Sequence, residues 1–485
     1  MIMIKRAIVW FRNDLRLHDN EALTEALRSA DEIIPVYIFD ERIFKGKTRF
    51  GFPKTGAHRA QFIIESVADL RTQLQNKGND LYVRVGKPED ILYEMARAAK
   101  CSWVYCNRER TDEEVKVQDI LEKNLWSVGQ ELRFCRGKML YHTADLPFPV
   151  QHTPEIFTTF RKEVERITPV RPPLPMPVTI SKNTFILDRG DIPTLEDFGY
   201  AHYKKDNRAA FNLKGGETEG LKRLKYYLEE THLIKTYEET RNELIGADYS
   251  TKLSAYLSAG CLSPKTIYCE LKKYEKQFGD NKSTYWLYFE LLWRDFFRLV
   301  GKKYGNAIFQ INGLDSKPDK SKKEKMWRTD ASLFHIWADG RTGIPFIDAN
   351  MRELKLTGFM SNRGRQNVAS FLTKDLKINW LMGAEWFESQ LVDYDPCSNY
   401  GNWLYIAGAG NDPRENRYFN ILTQAHRYDP TGAYVKLWCP ELENVPTDKI
   451  HRPDILSFEE QTQYKVKLGA QYPKAMIATE KWQSY

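Results

Sequence analysis

The seven cysteines contain no C-x-x-C pair; they stand singly at 101, 106, 135, 261, 269, 397 and 439. This argues against a zinc knuckle, an iron–sulfur cluster or a disulfide framework, and a reducing intracellular setting is expected. Histidine is scarce, nine in 485 residues, so no histidine-rich metal centre is expected. No apolar run approaches the roughly 18 residues a membrane span needs. MIMIKRAIVWF at the amino end is too short and wrongly ordered for a signal peptide, so a cytoplasmic protein without a membrane partner is expected. Neither G-x-G-x-x-G nor G-x-x-x-x-G-K-[ST] is found, which argues against a simple NAD domain and a nucleoside triphosphatase.

Large rings, by contrast, are abundant: Trp, Tyr and Phe make up 13% of the chain, with 12 Trp and 26 Tyr. So many π-systems need either large cores or a chemical task. The formal net charge is +7, mild enough to be a solvated basic surface and compatible with a phosphate-bearing partner.

Apolar runs and helical patterns alternate through the first third. RAIVWF (6–11), EIIPVYIFD (32–40), LYVRVG (81–86), SWVYCN (102–107) and ELRFCRG (131–137) predict buried strands. Helices are predicted between them at 21–30 (capped by Asp19 or Asn20), 59–78, 87–100 (Pro88 near its first position) and 111–129 (Thr111 and Glu114 as a capping box). Five such alternations predict a doubly wound parallel sheet over residues 1–137. Periodicity fades over 138–205, where TPVRPPLPMPVTI (168–180) must run extended, so a long surface connector is expected. From 206 to 485 the pattern is helical, with DSKPDKSKKEK (315–325) as a basic loop. The fold class expected is therefore α/β plus all-α.

Four segments could carry chemistry. On the predicted helix at 285–299, Glu290, Trp293, Arg294 and Phe297 share one face; this is either a site or a rim pair between Glu290 and Arg294. In TGFMSNRGRQNVASFL (357–372), two Arg flank Gly364 at a predicted helix start, suiting either an anion or a basic surface turn. Asp393 and Asp395, one residue apart, need different partners, and with so few His no metal is expected there. Ser250-Thr251-Lys252-Leu253-Ser254 could cradle phosphates or simply cap a helix. No nucleophilic triad stands out from spacing.

FRNDLRLHDN, YEETRN, STKLSAYLSAGCLSP, ELLWRDFFR, DANMRELKLTGFMSNRGRQNVASFL, DYDPCSNYGNW and RYFN occur in this order, and together they resemble the photolyase/cryptochrome superfamily across residues 6–473. MSNRGRQNVASF, with Gln366, and Tyr405 two residues after Trp403 resemble its DASH-type branch. The resemblance implies an antenna domain at 1–137, a connector at 138–205 and a helical FAD-binding domain at 206–485. It implies that Tyr237 and the turn Ser250, Thr251, Lys252, Leu253 and Ser254 grip the FAD diphosphate. Arg294, Asn362, Arg365, Asp393, Asp395 and Asn399 would surround the rest of the flavin, with Arg365 and Asp393 paired beside the ring and Asn399 beside N5. Trp403, Trp380 and Trp327 would carry electrons, the first nearest the ring.

The resemblance also implies a light-driven lyase in which reduced, excited flavin lends one electron to a cyclobutane pyrimidine dimer. Glu290 would hydrogen-bond the dimer and Trp293 stack on it, with Arg241, Asn362 and Arg363 lining the DNA side. Gln366 and Tyr405 stand where duplex-repairing relatives carry Met and Trp. Base–aromatic stacking contributes about 1–3 kcal/mol, so a smaller, more polar ring predicts preference for single-stranded DNA and weak action on duplex. RNA is an alternative polymer partner, and a monomer is expected. The α/β domain is expected to carry methenyltetrahydrofolate as antenna, with Glu109 as its acidic contact. A blue-light photoreceptor that binds nucleic acid without efficient repair is the competing reading, and an adenine-nucleotide electron-transfer protein a third. The stop shortly after QYPKAM (471–476), without an output segment, favours repair.

Overall fold

The computed structural model describes residues 4–200, 203–314, 327–412 and 417–482. The basic stretch at 315–325 lies outside the described residues. Five strands, β1 (Arg6–Phe11), β2 (Glu32–Asp40), β3 (Tyr82–Gly86), β4 (Trp103–Asn107) and β5 (Glu131–Cys135), form one parallel sheet in the order β3-β2-β1-β4-β5. The inner strands β1, β2 and β4 are apolar runs because both faces are covered, whereas the edge strands β3 and β5 admit Arg84, Glu131 and Arg133. Ile8, Trp10, Ile34, Val104 and Cys106 pack into one core, whereas Ala7, Val9, Phe11, Ile33 and Phe39 join the much larger core shared with the helical half.

The intervening helices are Glu21–Ser29, Ala57–Asn76, Pro88–Ala98 and Asp112–Trp126. Asn20 caps the first, accepting from the Leu23 amide. The box predicted for the fourth does not close. The Thr111 hydroxyl donates to the Glu114 carboxylate at 2.5 Å instead of accepting a backbone N–H.

The Pro-dense part of the connector runs extended, and the connector's later part lies along the sheet edge, where the Val83 amide donates to Arg189 O at 2.8 Å. Its earlier part holds a helix, Phe157–Ile167, that fading periodicity concealed. Phe157, Phe160 and Val164 bury one stripe of it against the helical half.

That half is built on helices Glu217–Lys225, Lys282–Tyr304, Pro345–Thr357, Asn362–Ser370, Trp380–Gln390 and Pro396–Ala407. The string FRNDLRLHDN is what fastens it to the sheet. Arg16, buried, donates to Gly260 O at 2.8 Å and to Gly137 O at 2.9 Å. Glu217 accepts from the Leu17 and His18 amides at 2.8 and 3.0 Å. Gly260 has φ +70°, and a Cβ there would lie 2.5 Å from Asp14 Cα, so only glycine permits this approach. No helix among the described residues is long and apolar enough to cross a membrane.

Candidate functional site

The helix Asn362–Ser370 starts where Ser361 accepts from the Gly364 amide at 3.0 Å, and this cap orients Asn362, Arg363, Arg365 and Gln366. Arg365 donates to Met360 O and, through its other arm, to Asp393 at 2.9 Å. Asp395 has separate partners. It caps Pro396–Ala407 by accepting from the Ser398 amide at 2.8 Å and pairs with Arg298 at 3.2 Å. Burial opposes its charge, but Arg298 and Arg294 overcome that and hold its carboxyl below the usual range. Arg294 is not paired with Glu290; it donates to Lys138 O and Leu257 O. Glu290 instead pairs with Arg241, whose guanidinium lies 4.6 Å from the Trp286 ring centroid.

The turn at 250–254 leads into a short helix beginning at Ser254. Lys252 sits in the left-handed region, φ 59°, which drives its side chain inward. Its ammonium is buried without a hydrogen-bond partner, 3.2 Å from the Tyr249 ring centroid and 4.5 Å from that of Phe359. Burial lowers its pKa well below the ordinary lysine value. Tyr237 is buried nearby, edge-on to Tyr227 at 6.4 Å.

These segments hold buried polar atoms left without partners: Tyr249 Oη, Lys252 Nζ, Arg363 Nε, Gln366 Oε1, Asn367 Oδ1 and Asp393 Oδ1. Buried polar groups are ordinarily hydrogen-bonded, so this cluster fits a polar, anionic ligand with several acceptors and donors. FAD is such a ligand: its diphosphate suits Lys252 and the 250–254 amides, and its ring edge suits Arg365, Asp393 and Asn399. Asn399, buried, donates to Ala384 O at 3.0 Å and keeps its carbonyl oxygen available. Glu353, Tyr249 and Phe359 adjoin Lys252 and were not foreseen: Glu353 and Phe359 lie in a quoted string, but spacing does not show that they face the turn at 250–254.

The helix Asn362–Ser370 packs on Pro396–Ala407, which carries Tyr405 into an aromatic cluster. Trp293 is stacked on Phe157 of the connector, 3.7 Å between centroids at 8°, and meets Tyr405 edge-on at 5.6 Å. The Tyr405 hydroxyl is buried and unpartnered. Arg363 donates to Asn242 at 3.1 Å and lies 4.7 Å from the Tyr428 centroid.

Trp403 is buried against Phe387 (5.1 Å) and Trp337 (6.5 Å), with Gly383 leaving room for its ring. Trp380 donates to Ile311 O at 3.0 Å and meets Tyr400, one turn from Trp403, at 6.3 Å. A parallel bridge between Arg328 and Ile378 brings the half-buried Trp327 alongside the residues leading into Trp380. Among the described residues, no ring contact joins these three indoles directly.

Between the two halves lies a cavity of about 730 Å³, lined among others by Phe11, Arg12, Asp40, Glu113, Phe309 and Tyr394. Glu109 is not offered to it. That carboxylate is buried in an ion cluster with Lys138 and, at 3.3 Å, with Arg298, which together outweigh burial and keep it charged. Glu109, expected to contact an antenna, is held by these two cations and lines a small recess beside the cavity together with Thr111 and Glu114. From the same segment, Thr111, Asp112 and Glu113 line the cavity instead.

Comparison with known proteins accords with this geometry. Residues 286–484 match the family described as the FAD binding domain of DNA photolyase, and residues 7–178 the DNA photolyase family. Cryptochrome DASH of Xenopus laevis is 49% identical over 98% of this chain and 90% of its own length, and that of Synechocystis 49% identical over 97% and 94%. The crystal structure of the Synechocystis cryptochrome superposes with a TM-score of 0.94 over 99% of this chain and 98% of that one, at 47% identity. A bacterial class III photolyase from Agrobacterium tumefaciens superposes with a TM-score of 0.84 over 100% and 96%, at 28% identity. With its five-stranded parallel sheet and its helical FAD-binding half, the chain belongs to the photolyase/cryptochrome family, in the DASH cryptochrome group.

Proposed function

We propose that this flavoprotein is a light-driven lyase that splits cyclobutane pyrimidine dimers, preferentially in single-stranded DNA. The observation that carries this reading is that the helix Asn362–Ser370, which holds part of the unpartnered polar cradle, packs on the helix Pro396–Ala407, whose Tyr405 meets Trp293. FAD bound in the cradle would supply a photoexcited one-electron donor, and all other roles fall to the chain.

Lys252 and the 250–254 amides would neutralise the diphosphate. The Arg365–Asp393 pair would fix the ring edge, with Asn399 offering a neutral amide that does not repel negative charge on the ring. Trp293, held from behind by Phe157, would present an indole face to a flipped dimer. Glu290, steadied by Arg241, would accept hydrogen bonds from it, while Asn362, Arg363 and Gln366 would line the strand. Tyr405 would add less stacking than an indole, so the enzyme would rely on strands whose dimer is already unstacked. Buried indoles are apolar at rest, so Trp403, Trp380 and Trp327 would pass an electron inward without a standing charge in the core. The cavity between the halves would hold methenyltetrahydrofolate against Thr111, Asp112 and Glu113.

The test is the absorption spectrum of the purified protein. Flavin bands with an additional near-ultraviolet band support both cofactors. A colourless, folded preparation removes the proposed reagent, and flavin bands alone remove the folate.

A further inference from the structure

β4 and β5 end together, Asn107 opposite Cys135, and the next residue in each strand is an arginine. The Arg108 amide donates to Cys135 O at 2.9 Å, which holds Arg108 and Arg136 at the same edge. Arg110 follows on the same loop, and Lys302, near the end of the Lys282–Tyr304 helix, approaches from the helical half. None of the four makes an ion pair among the described residues. Arg136 reaches only the Thr143 hydroxyl, at 3.5 Å, and Arg108 lies over the Phe134 ring at 4.4 Å.

The nearby acids are otherwise engaged. Glu109 is held by Lys138 and Arg298, and Glu21 accepts the Arg136 backbone amide at 2.9 Å. The mutual repulsion is visible in the ionisation of the group. Arg110 is pushed down to about 10 by burial and then by Arg298 and Arg108, and Lys302 is lowered by burial and then by Arg110, Arg136 and Arg108. Like charges collected without counter-ions destabilise a fold unless an anion joins them. The place is also apt, since ligands of doubly wound sheets bind beyond the carboxyl ends of the strands.

We propose that Arg108, Arg110, Arg136 and Lys302 form a binding site for phosphate groups at the junction of the two halves. It is separate from the lesion site. Lys302 lies nine residues beyond Trp293 on one helix, about 13.5 Å along the axis and on the opposite side. The phosphate could belong to the backbone of a bound strand or to a small free anion, and the experiment separates these.

The variant Arg108→Gln/Arg136→Gln/Lys302→Gln is compared with wild type and with a control of equal charge at exposed positions, Lys87→Gln/Lys100→Gln/Lys123→Gln. Two probes are used: a lesion-free oligothymidylate, titrated at several salt concentrations, and inorganic pyrophosphate, followed by Tm. If the strand backbone is the source, the slope of log K against log salt becomes shallower by about 2 in the variant and not more than slightly in the control, at about 0.7 per phosphate contact. If a free anion is the source, the slope is unchanged, and pyrophosphate raises the Tm of wild type and control but not of the variant. Arg136→Gln/Lys302→Gln, which alters exposed side chains only, supplies the same readings at reduced size should the triple variant fold poorly. An unchanged slope together with an unchanged pyrophosphate response overturns the proposal.

Discussion

Arg365 donates to one oxygen of Asp393 at 2.9 Å, while the other oxygen of that carboxylate is buried with no hydrogen-bond partner. A buried carboxylate half satisfied by its own chain is placed to meet a ligand with the remaining lone pairs. Asp393→Asn keeps the shape and removes the charge. Breaking a buried pair costs about 3–5 kcal/mol, so most of the flavin should be lost on gel filtration, read as the ratio of visible to protein absorbance. Full flavin retention would contradict the assignment.

The stacking of Trp293 on Phe157 yields a second expectation. One indole face is covered at 3.7 Å, so the ring is fixed rather than swinging. Trp293→Ala should weaken binding of a dimer-containing single strand by about 5-fold to 150-fold, from about 1–3 kcal/mol of lost stacking, with flavin content unchanged. Binding is read by fluorescence anisotropy with damaged and undamaged strands. An equal loss for both strands would mean that Trp293 does not recognise the lesion.

These two positions also show where sequence suffices and where it does not. The sheet was legible because strands covered on both faces must be apolar throughout, as RAIVWF and EIIPVYIFD are. Arg365 and Asp393 were legible through the resemblance, since each sits in a distinctive string. Phe157 was not, because its helix lies in a Pro-flanked connector whose three buried residues are diluted by charged neighbours. The surroundings of Glu109 were not legible, because sequence shows an acidic segment but not which carboxylate turns inward. Lys138 and Arg298, distant in the chain, decide that. The cluster of Arg108, Arg136 and Lys302 was likewise invisible until the strand register and the domain junction brought it together.

Trp380 is buried and donates its indole N–H to Ile311 O. Trp380→Phe should stop photoreduction of bound flavin by visible light with an external thiol as final donor, while chemically pre-reduced protein still repairs. The two rates are read by visible absorbance and by product chromatography. Loss of repair with retained photoreduction would reverse the roles assigned to the indoles and the cradle.

Glu353 is fully buried, accepts from the Tyr434 hydroxyl at 2.6 Å, and is pushed up to about 7 by burial. Its folded pKa lies above its unfolded value of about 4.5, so the native state binds the extra proton between these values. The associated stability is present below pH 4.5 and is lost as pH rises through 7. Glu353→Gln, neutral at every pH and still able to accept from Tyr434, should therefore raise Tm relative to wild type at pH 8 and leave it nearly unchanged at pH 5. The gain at pH 8 is on the order of 1–3 kcal/mol. A Tm difference independent of pH would contradict the raised pKa.

The central claim is that photoexcited charge leaves the helical cradle for a damaged pyrimidine presented at the aromatic cluster. It is tested by illuminating reduced protein with one dimer-bearing oligothymidylate, offered single-stranded and as a matched duplex at low salt, and counting intact dimers by chromatography. Light-dependent loss of dimers, several-fold faster in the single strand, is the predicted result. No loss in either substrate, from protein that holds its flavin, would contradict it.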